Sequence, residues 1–356
     1  MSDFSQHRCP DRLLDLGWTP ETAETFAPYE RSHQPARVCR IDRGGADLAG
    51  AAGAIRATYG GDVLRAGAAD RSAMPAVGDW CVVRDWPDGR VTLDAVLERR
   101  TAIVRDSAGT TSHGQVVVAN VDRVVIVEHL DPDPDLGRIE RLLVLAWASG
   151  ARPLVILTKS DLVPDPDGMR AEVAAVAPGV DVLAVSAATG DGVEAFFAQL
   201  APGRTLALLG PSGAGKSTLT NLVARTPMVA TGATRERDGK GRHVTTHRQL
   251  IVVPGRGVVI DTPGLRSIGI VADDAAVATT FPEIEELAEQ CRFRDCAHET
   301  EPGCAVRAAV ADGELDEQRV TRWRKLGREA EFHARRADAR LRAQEAAAWK
   351  RRLGRH

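Results

Sequence analysis

The segment Gly210-Pro211-Ser212-Gly213-Ala214-Gly215-Lys216-Ser217-Thr218 has the residue types needed to hold a polyphosphate. It fits the pattern G-x-x-x-x-G-K-[ST] and follows the apolar run TLALL. Its three glycines let the backbone curl until N–H groups face phosphate oxygens. Lys216 adds a point charge toward the β- and γ-phosphates, Ser217 offers a hydroxyl to Mg²⁺, and the helix that starts here brings its positive end to the anion.

Phosphate binding alone does not choose a base. Thr158-Lys159-Ser160-Asp161 closes the apolar run PLVIL, where a ligand-facing loop belongs. It is close to the Asn-Lys-x-Asp pattern of GTPases, with Thr158 in place of Asn. Lys159 would lie along the base plane. Asp161 would accept hydrogen bonds from guanine N1–H and the 2-amino group, a pair adenine cannot donate. Ser186-Ala187-Ala188 ends the next apolar run and resembles the loop whose backbone N–H meets guanine O6. Asp261-Thr262-Pro263-Gly264 ends the run GVVI. Asp261 would hold Mg²⁺ through water and the Gly264 N–H would bind the γ-phosphate. Familiar GTPases begin with the phosphate loop; here the base-reading motifs precede it. The same site can still assemble, because chain termini can move without changing the packing. In this order the chain runs from Asp261–Gly264 toward its C-terminal part, an arrangement that could couple nucleotide state to that part.

The polar stretch Ala233–Leu250 has the character of a switch segment. Thr245 or Thr246 would coordinate Mg²⁺ there, Thr245 being preferred. Leu265 stands where many GTPases place the water-orienting Gln, so intrinsic turnover should be slow. His243 is the nearest residue that could substitute, and a partner is expected to complete catalysis. Farther along, Cys291, Cys296, His298 and Cys304 form C-x4-C-x-H-x5-C. Three thiolates and an imidazole suit tetrahedral Zn²⁺ with no open position, hence a structural ion.

These motifs must be positioned by larger elements. Residues 1–34 read as a helical lead-in, with Thr19 as N-cap and Pro20 in the first turn. Residues 35–105 are short β-rich runs broken by Gly, Pro and Asp, the signature of a small barrel. Spacing leaves OB and SH3-like barrels nearly equal. Residues 106–270 alternate Val/Ile/Leu-rich strands, among them QVVVANVDRVVIVEHL read as one run, with helical patterns such as GRIERLLVLAWASG. That alternation predicts a mostly parallel sheet covered on both faces. Residues 271–356 read as a helical domain around the Cys/His knot, ending in a basic helix.

The 356 residues give room for two or three domains, and 44% apolar content supports a core. No run of about 18 apolar residues and no secretory h-region is present, so the cytoplasm and no membrane partner are expected. The net charge of −3 is uneven: Arg319–His356 carries +9, leaving −12 for the rest. A polyanion contact would therefore concentrate at the C-terminal end. Arg99, Arg100 and Arg105, at the end of the barrel stretch, fit either an RNA-facing group or a solvated arginine face.

Together these residues resemble the ribosome small subunit-dependent GTPase A family, RsgA or YjeQ. RVCRIDRG, VGDW, TKSD, GPSGAGKST, GRHVTT, DTPGLRSIG and CRFRDCAHETEPGC carry the resemblance, which spans nearly the whole chain. It implies an N-terminal OB-fold, a circularly permuted GTPase domain and a C-terminal zinc domain. It also implies late maturation of the small ribosomal subunit, contact with its rRNA, and hydrolysis of GTP stimulated by that particle. Its cofactors would be GTP or GDP with Mg²⁺ and one structural Zn²⁺, and the chain is expected to be a monomer. Two other classes compete. A phosphotransferase would need an acceptor-binding base and no guanine motif. An RNA-binding zinc module with a degenerate nucleotide site is opposed by intact Lys216, Ser217, Asp261 and Asp161.

Overall fold

The computed structural model describes residues 11–106, 114–224, 248–262, 269–270 and 273–353. His243, Thr245, Thr246, Gly264 and Leu265 lie outside the described residues.

Two short helices, α1 (Asp11–Asp15) and α2 (Pro20–Phe26), open the described chain. Thr19 caps α2 by accepting from the Thr22 N–H at 3.3 Å, with Pro20 in the first turn, as the sequence leads one to expect. Next come β1 (Gln34–Asp42), β2 (Gly45–Gly50), β3 (Gly53–Tyr59), α3 (Gly61–Ala69), β4 (Trp80–Asp85) and β5 (Val91–Val96). These strands close into a barrel in the order β1-β2-β3-β5-β4, with β3 and β5 parallel. That five-stranded closure is the OB arrangement. The interior is narrow and filled by small and branched side chains, among them Ala36, Val38, Leu48, Cys81 and Leu93.

β6 (Ala102–Asp106) lies outside the barrel. It forms a separate three-stranded sheet with β7 (Gln115–Ala119) and, at the far end of the central region, β14 (Gly269–Ile270). The run QVVVANVDRVVIVEHL is two strands, β7 and β8 (Arg123–His129). They part at Asn120, which adopts φ 55, the left-handed conformation that Asn tolerates better than most residues. Arg37, 1% exposed, binds this corner. It donates to Asn120 O at 2.9 Å, Gly78 O at 3.1 Å and Leu16 O, joining lead-in, barrel and corner through carbonyls alone. Burial pulls its pKa down to about 10.

The central region continues with α4 (Leu136–Ala148), β9 (Arg152–Thr158), α5 (Pro166–Ala175), β10 (Val182–Val185), α6 (Val193–Phe197) and β11 (Thr205–Leu209). It then adds α7 (Lys216–Ala224), β12 (Gln249–Val253) and β13 (Gly257–Asp261). The sheet order is β10-β9-β8-β11-β13-β12, parallel except for the edge strand β12. Alternation along β8 feeds two cores: Val124 and Ile126 pack with α4, Val125 and Val127 with Leu219 and Val223 of α7. From β8 the chain moves outward to β9 and β10, then returns to β11 on the other side of β8. The topological switch point, where open α/β sheets bind ligands, therefore falls between β8 and β11.

The C-terminal part holds α8 (Asp274–Thr280), α9 (Pro282–Ala288), α10 (Ala305–Ala311) and the long α11 (Glu317–Leu353). It is clamped to α4. Glu140, 0% exposed, accepts from Arg319 Nη1 at 2.7 Å, Arg322 Nη2 at 3.2 Å and Arg322 Nε. Arg141 forms a two-pronged pair with Glu329, both bonds at 2.8 Å.

Candidate functional site

The phosphate-binding loop leaves β11 at the switch point. Gly210 adopts φ 151, and a Cβ there would lie 2.1 Å from Val127 O of β8. Gly213 and Gly215 have φ 87 and 88, values that suit glycine. Lys216 is 7% exposed and folds back to donate to Gly210 O at 2.8 Å and Pro211 O at 2.6 Å. Burial lowers its pKa, against the pull of Asp261 and Glu128. Among the described residues its hydrogen bonds go to carbonyls of its own loop, which phosphate oxygens can replace. Ser217 and Thr218 are exposed at the start of α7. Asp261, at the end of β13, is level with Leu208 of β11 and 5% exposed, and Thr262 Oγ1 donates to Leu208 O.

Thr158 ends β9 on the other side of β8. Its hydroxyl contacts Ala214 O at 2.8 Å and Glu128 O at 3.2 Å, tying the TKSD segment to the phosphate loop and to β8. Lys159 has φ 62, and its Nζ donates to Asp131 O at 3.2 Å. Asp161 Oδ1 accepts from Ser186 Oγ at 2.6 Å. The same Ser186 oxygen accepts from the N–H groups of Ala188 and Thr189 at 3.2 and 3.1 Å. Ser186 thus aims the carboxylate, and Ala187 and Ala188 stand exposed beside it. Phosphate loop, TKSD, Ser186 loop and Asp261 share one edge of the sheet. Hard oxygen donors from Ser217 and Asp261 beside a buried lysine fit a nucleoside triphosphate with Mg²⁺.

Sequence reading missed two contributors. Glu128, 0% exposed at the end of β8, receives Arg138 Nε at 2.7 Å, and Asp131 supplies the carbonyl that holds Lys159. A charged residue inside the run VVIVEHL was the available signal for the first. The arginine group near the barrel also divides. Arg99 is committed internally, donating to both oxygens of buried Asp79 at 2.8 and 2.7 Å and to Ser72 and Met74 carbonyls. It is neither a solvated side chain nor available to RNA.

In the Cys/His knot, the ligand atoms of Cys291, Cys296, His298 and Cys304 lie within 4.8 Å of one another. Cys291 Sγ is 3.8 Å from Cys304 Sγ, and His298 Nδ1 is 3.5 and 3.4 Å from these two sulfurs. Bonds of ~2.3 Å to sulfur and ~2.0 Å to nitrogen in a tetrahedron require edges of roughly 3.8 and 3.5 Å, so the donors fit Zn²⁺. Burial raises the Cys291 thiol, but the N–H groups of Val306 and Ala305 together with hydrogen bonding to Cys304 and Cys296 outweigh it and set the thiol below its usual range. The loop is shaped by Glu301, whose carboxylate is held by its own N–H and those of Thr300, Ala297 and Glu299 and falls to a pKa of about 2.

Comparison with known proteins agrees with this geometry. The model of the RsgA GTPase family matches residues 96–271. The small ribosomal subunit biogenesis GTPase RsgA of Streptomyces coelicolor is 46% identical, over 99% of this chain and 96% of its own length. The protein of that name from Opitutus terrae is also 46% identical, over 95% of both chains. Among solved structures, YjeQ from Thermotoga maritima superposes with a TM-score of 0.59 at 25% identity, covering 84% of this chain and 98% of the other. YloQ, described as a circularly permuted GTPase, gives 0.58 at 25% identity over 84% of this chain and 96% of its own.

Proposed function

This chain belongs to the RsgA GTPase family and is a GTP hydrolase, and from that premise we propose that it binds the small ribosomal subunit, assists its late maturation and hydrolyses GTP under stimulation by that particle. The observation that carries the reading is the meeting of a guanine-reading Asp161, aimed by Ser186, with Lys216 and Asp261 at one sheet edge.

In hydrolysis a water oxygen forms a bond to the γ-phosphorus, the bond from that phosphorus to the β–γ bridging oxygen breaks, and GDP leaves with that electron pair. Lys216 trades its two loop carbonyls for β- and γ-phosphate oxygens. The loop Gly210–Thr218 wraps the phosphates with its N–H groups, and Gly264 adds one at the γ-phosphate. Asp161 accepts from the guanine edge; Thr158 keeps the base side and phosphate side at fixed separation. Ser217, Asp261 and Thr245 would hold Mg²⁺, which when bound neutralises charge developing on the phosphates. His243 is proposed to position the water, in a chain with Leu265 where others have Gln.

We assign 1–34 to a lead-in and 271–356 to the zinc domain; of the stretch 35–105 expected to be barrel, the strands through Val96 make the OB barrel, and β6 goes with the GTPase domain expected over 106–270. Cys291, Cys296, His298 and Cys304 hold one structural Zn²⁺. Contact with rRNA, a monomeric state and a cytoplasmic location complete the proposal. No helix among the described residues is long and apolar enough to cross a membrane. The test is GTP turnover by the purified chain with and without isolated small subunits. Stimulation is expected, with none from large subunits; equal turnover in all three conditions would remove the ribosomal reading.

A further inference from the structure

A cleft of about 630 Å³ opens between α8, the Cys/His knot and the first half of α11. That volume is in the range of sites that bind ligands. Trp323 forms one wall. Its Nε1 already donates to Glu285 Oε1 at 2.8 Å and its ring packs tilted against His298 at 5.2 Å, so what Trp323 brings to the cleft is aromatic surface and not a donor. One turn on, Gly327 leaves α11 bare, and a Cβ there would meet nothing within 4 Å. Val277 and Ala297 supply apolar floor.

The rim is acidic. Asp274 on α8, Glu299 on the knot and Glu331 on α11 are exposed around the opening. Glu285 adds a fourth carboxylate, against two guanidinium groups, Arg324 and Arg328. Arg324 is turned under the knot, where it donates to His298 O. An aromatic wall, an apolar floor and an excess of carboxylates match one kind of side chain. The methylene stem of an arginine or lysine lies on the floor while its cation meets the ring and the rim. The same charge opposes a nucleic-acid backbone.

We propose that this cleft docks a basic polypeptide segment of a partner protein, seating one Arg or Lys side chain between Trp323 and the carboxylates of Asp274 and Glu299. It is independent of the nucleotide site and goes beyond the activity inferred above. It also separates the C-terminal part into a protein-binding slot and a basic helix of opposite charge.

The test uses the full-length, zinc-loaded chain and fluorescence anisotropy. The probe is a labelled, end-capped heptapeptide of alanine, leucine and two arginines; a version with glutamate in place of arginine and a labelled oligouridine are run beside it. Gly327→Leu fills the cleft at a position where a side chain has room and the helix gains propensity. Asp274→Lys with Glu299→Lys reverses the rim. The arginine peptide should saturate the wild-type chain below about 1 mM and weaken at least about tenfold in either variant. Zinc content and basal GTP turnover should match wild type in both. The proposal is overturned if the peptide fails to saturate, if it binds Gly327→Leu as it binds wild type, or if the ligand lost on filling the cleft is the glutamate peptide or oligouridine.

Discussion

Replacing Glu140 by Gln tests whether the C-terminal part is held to the GTPase region by buried charge. The carboxylate is wholly enclosed and serves two guanidinium groups. Gln keeps the shape, loses the charge and turns an NH₂ toward a donor. Removing one partner of a buried ion pair costs about 3–5 kcal/mol. Here the upper figure is too large. Arg319 would retain Glu283, the carbonyls of Val176 and Thr280 at 3.2 Å and the Phe281 ring at 4.8 Å. Arg322 is 22% exposed but, among the described residues, would retain only Asp316 at 3.6 Å. A loss of about 2–3 kcal/mol is the reasoned value, or roughly 30- to 150-fold in a local opening equilibrium. Hydrogen exchange read by mass spectrometry gives the assay. Amides of α8 and of the first turns of α11 should exchange faster by that factor, while β8 and β9 stay as in wild type. Unchanged protection in α11, or equal acceleration in the central sheet, would refute the idea that this clamp is local and held by charge.

Asp161→Asn should shift nucleotide preference from guanine toward xanthine by at least about tenfold, since xanthine keeps the N1–H donor but carries at position 2 a carbonyl that the Asn amide can donate to; a competition titration in which GTP still wins would remove Asp161 as the base reader. Gly210→Ala should abolish GTP binding, because the added carbon would sit 2.1 Å from Val127 O, and normal affinity by calorimetry would contradict the packing described. Cys296→Ser should lose zinc by metal analysis and raise α10 exchange, with full zinc retention excluding it from the ligand set.

What could be read from sequence was what depends on neighbours in sequence. Gly210–Thr218 and the four ligands from Cys291 to Cys304 are local patterns, and the structure brings each group together. The barrel type was not local. OB and SH3-like candidates share strand spacing, and the parallel pairing of β3 with β5 that decides between them joins residues far apart in the chain. Apolar periodicity merged β7 and β8 because it cannot register one residue at φ 55. Arg99 read as either RNA-facing or solvated because its acceptors, Asp79 and two carbonyls, come from a segment 20 to 27 residues earlier. The run of chain from Asp261–Gly264 toward the C-terminal part, read as a possible coupling route, is also less direct than its order in sequence. The chain first pairs as β14 with β6, beside the barrel, and only then enters α8. The firm attachment of the C-terminal part is instead to α4, through Glu140 and Arg141.

The β6–β14 pairing also sets an order of events at birth. β6 leaves the ribosome early, and the partner that completes its sheet follows roughly 160 residues later. At ordinary elongation rates that is a wait on the order of ten to thirty seconds. During it the barrel can close, because all five of its strands have been made, while β6 has only β7 to pair with. The last step of synthesis in the GTPase region therefore fastens the last strand among the described residues to one made roughly 160 residues before it. A nascent chain stopped before Gly269 would have a finished barrel and an open seam beside it.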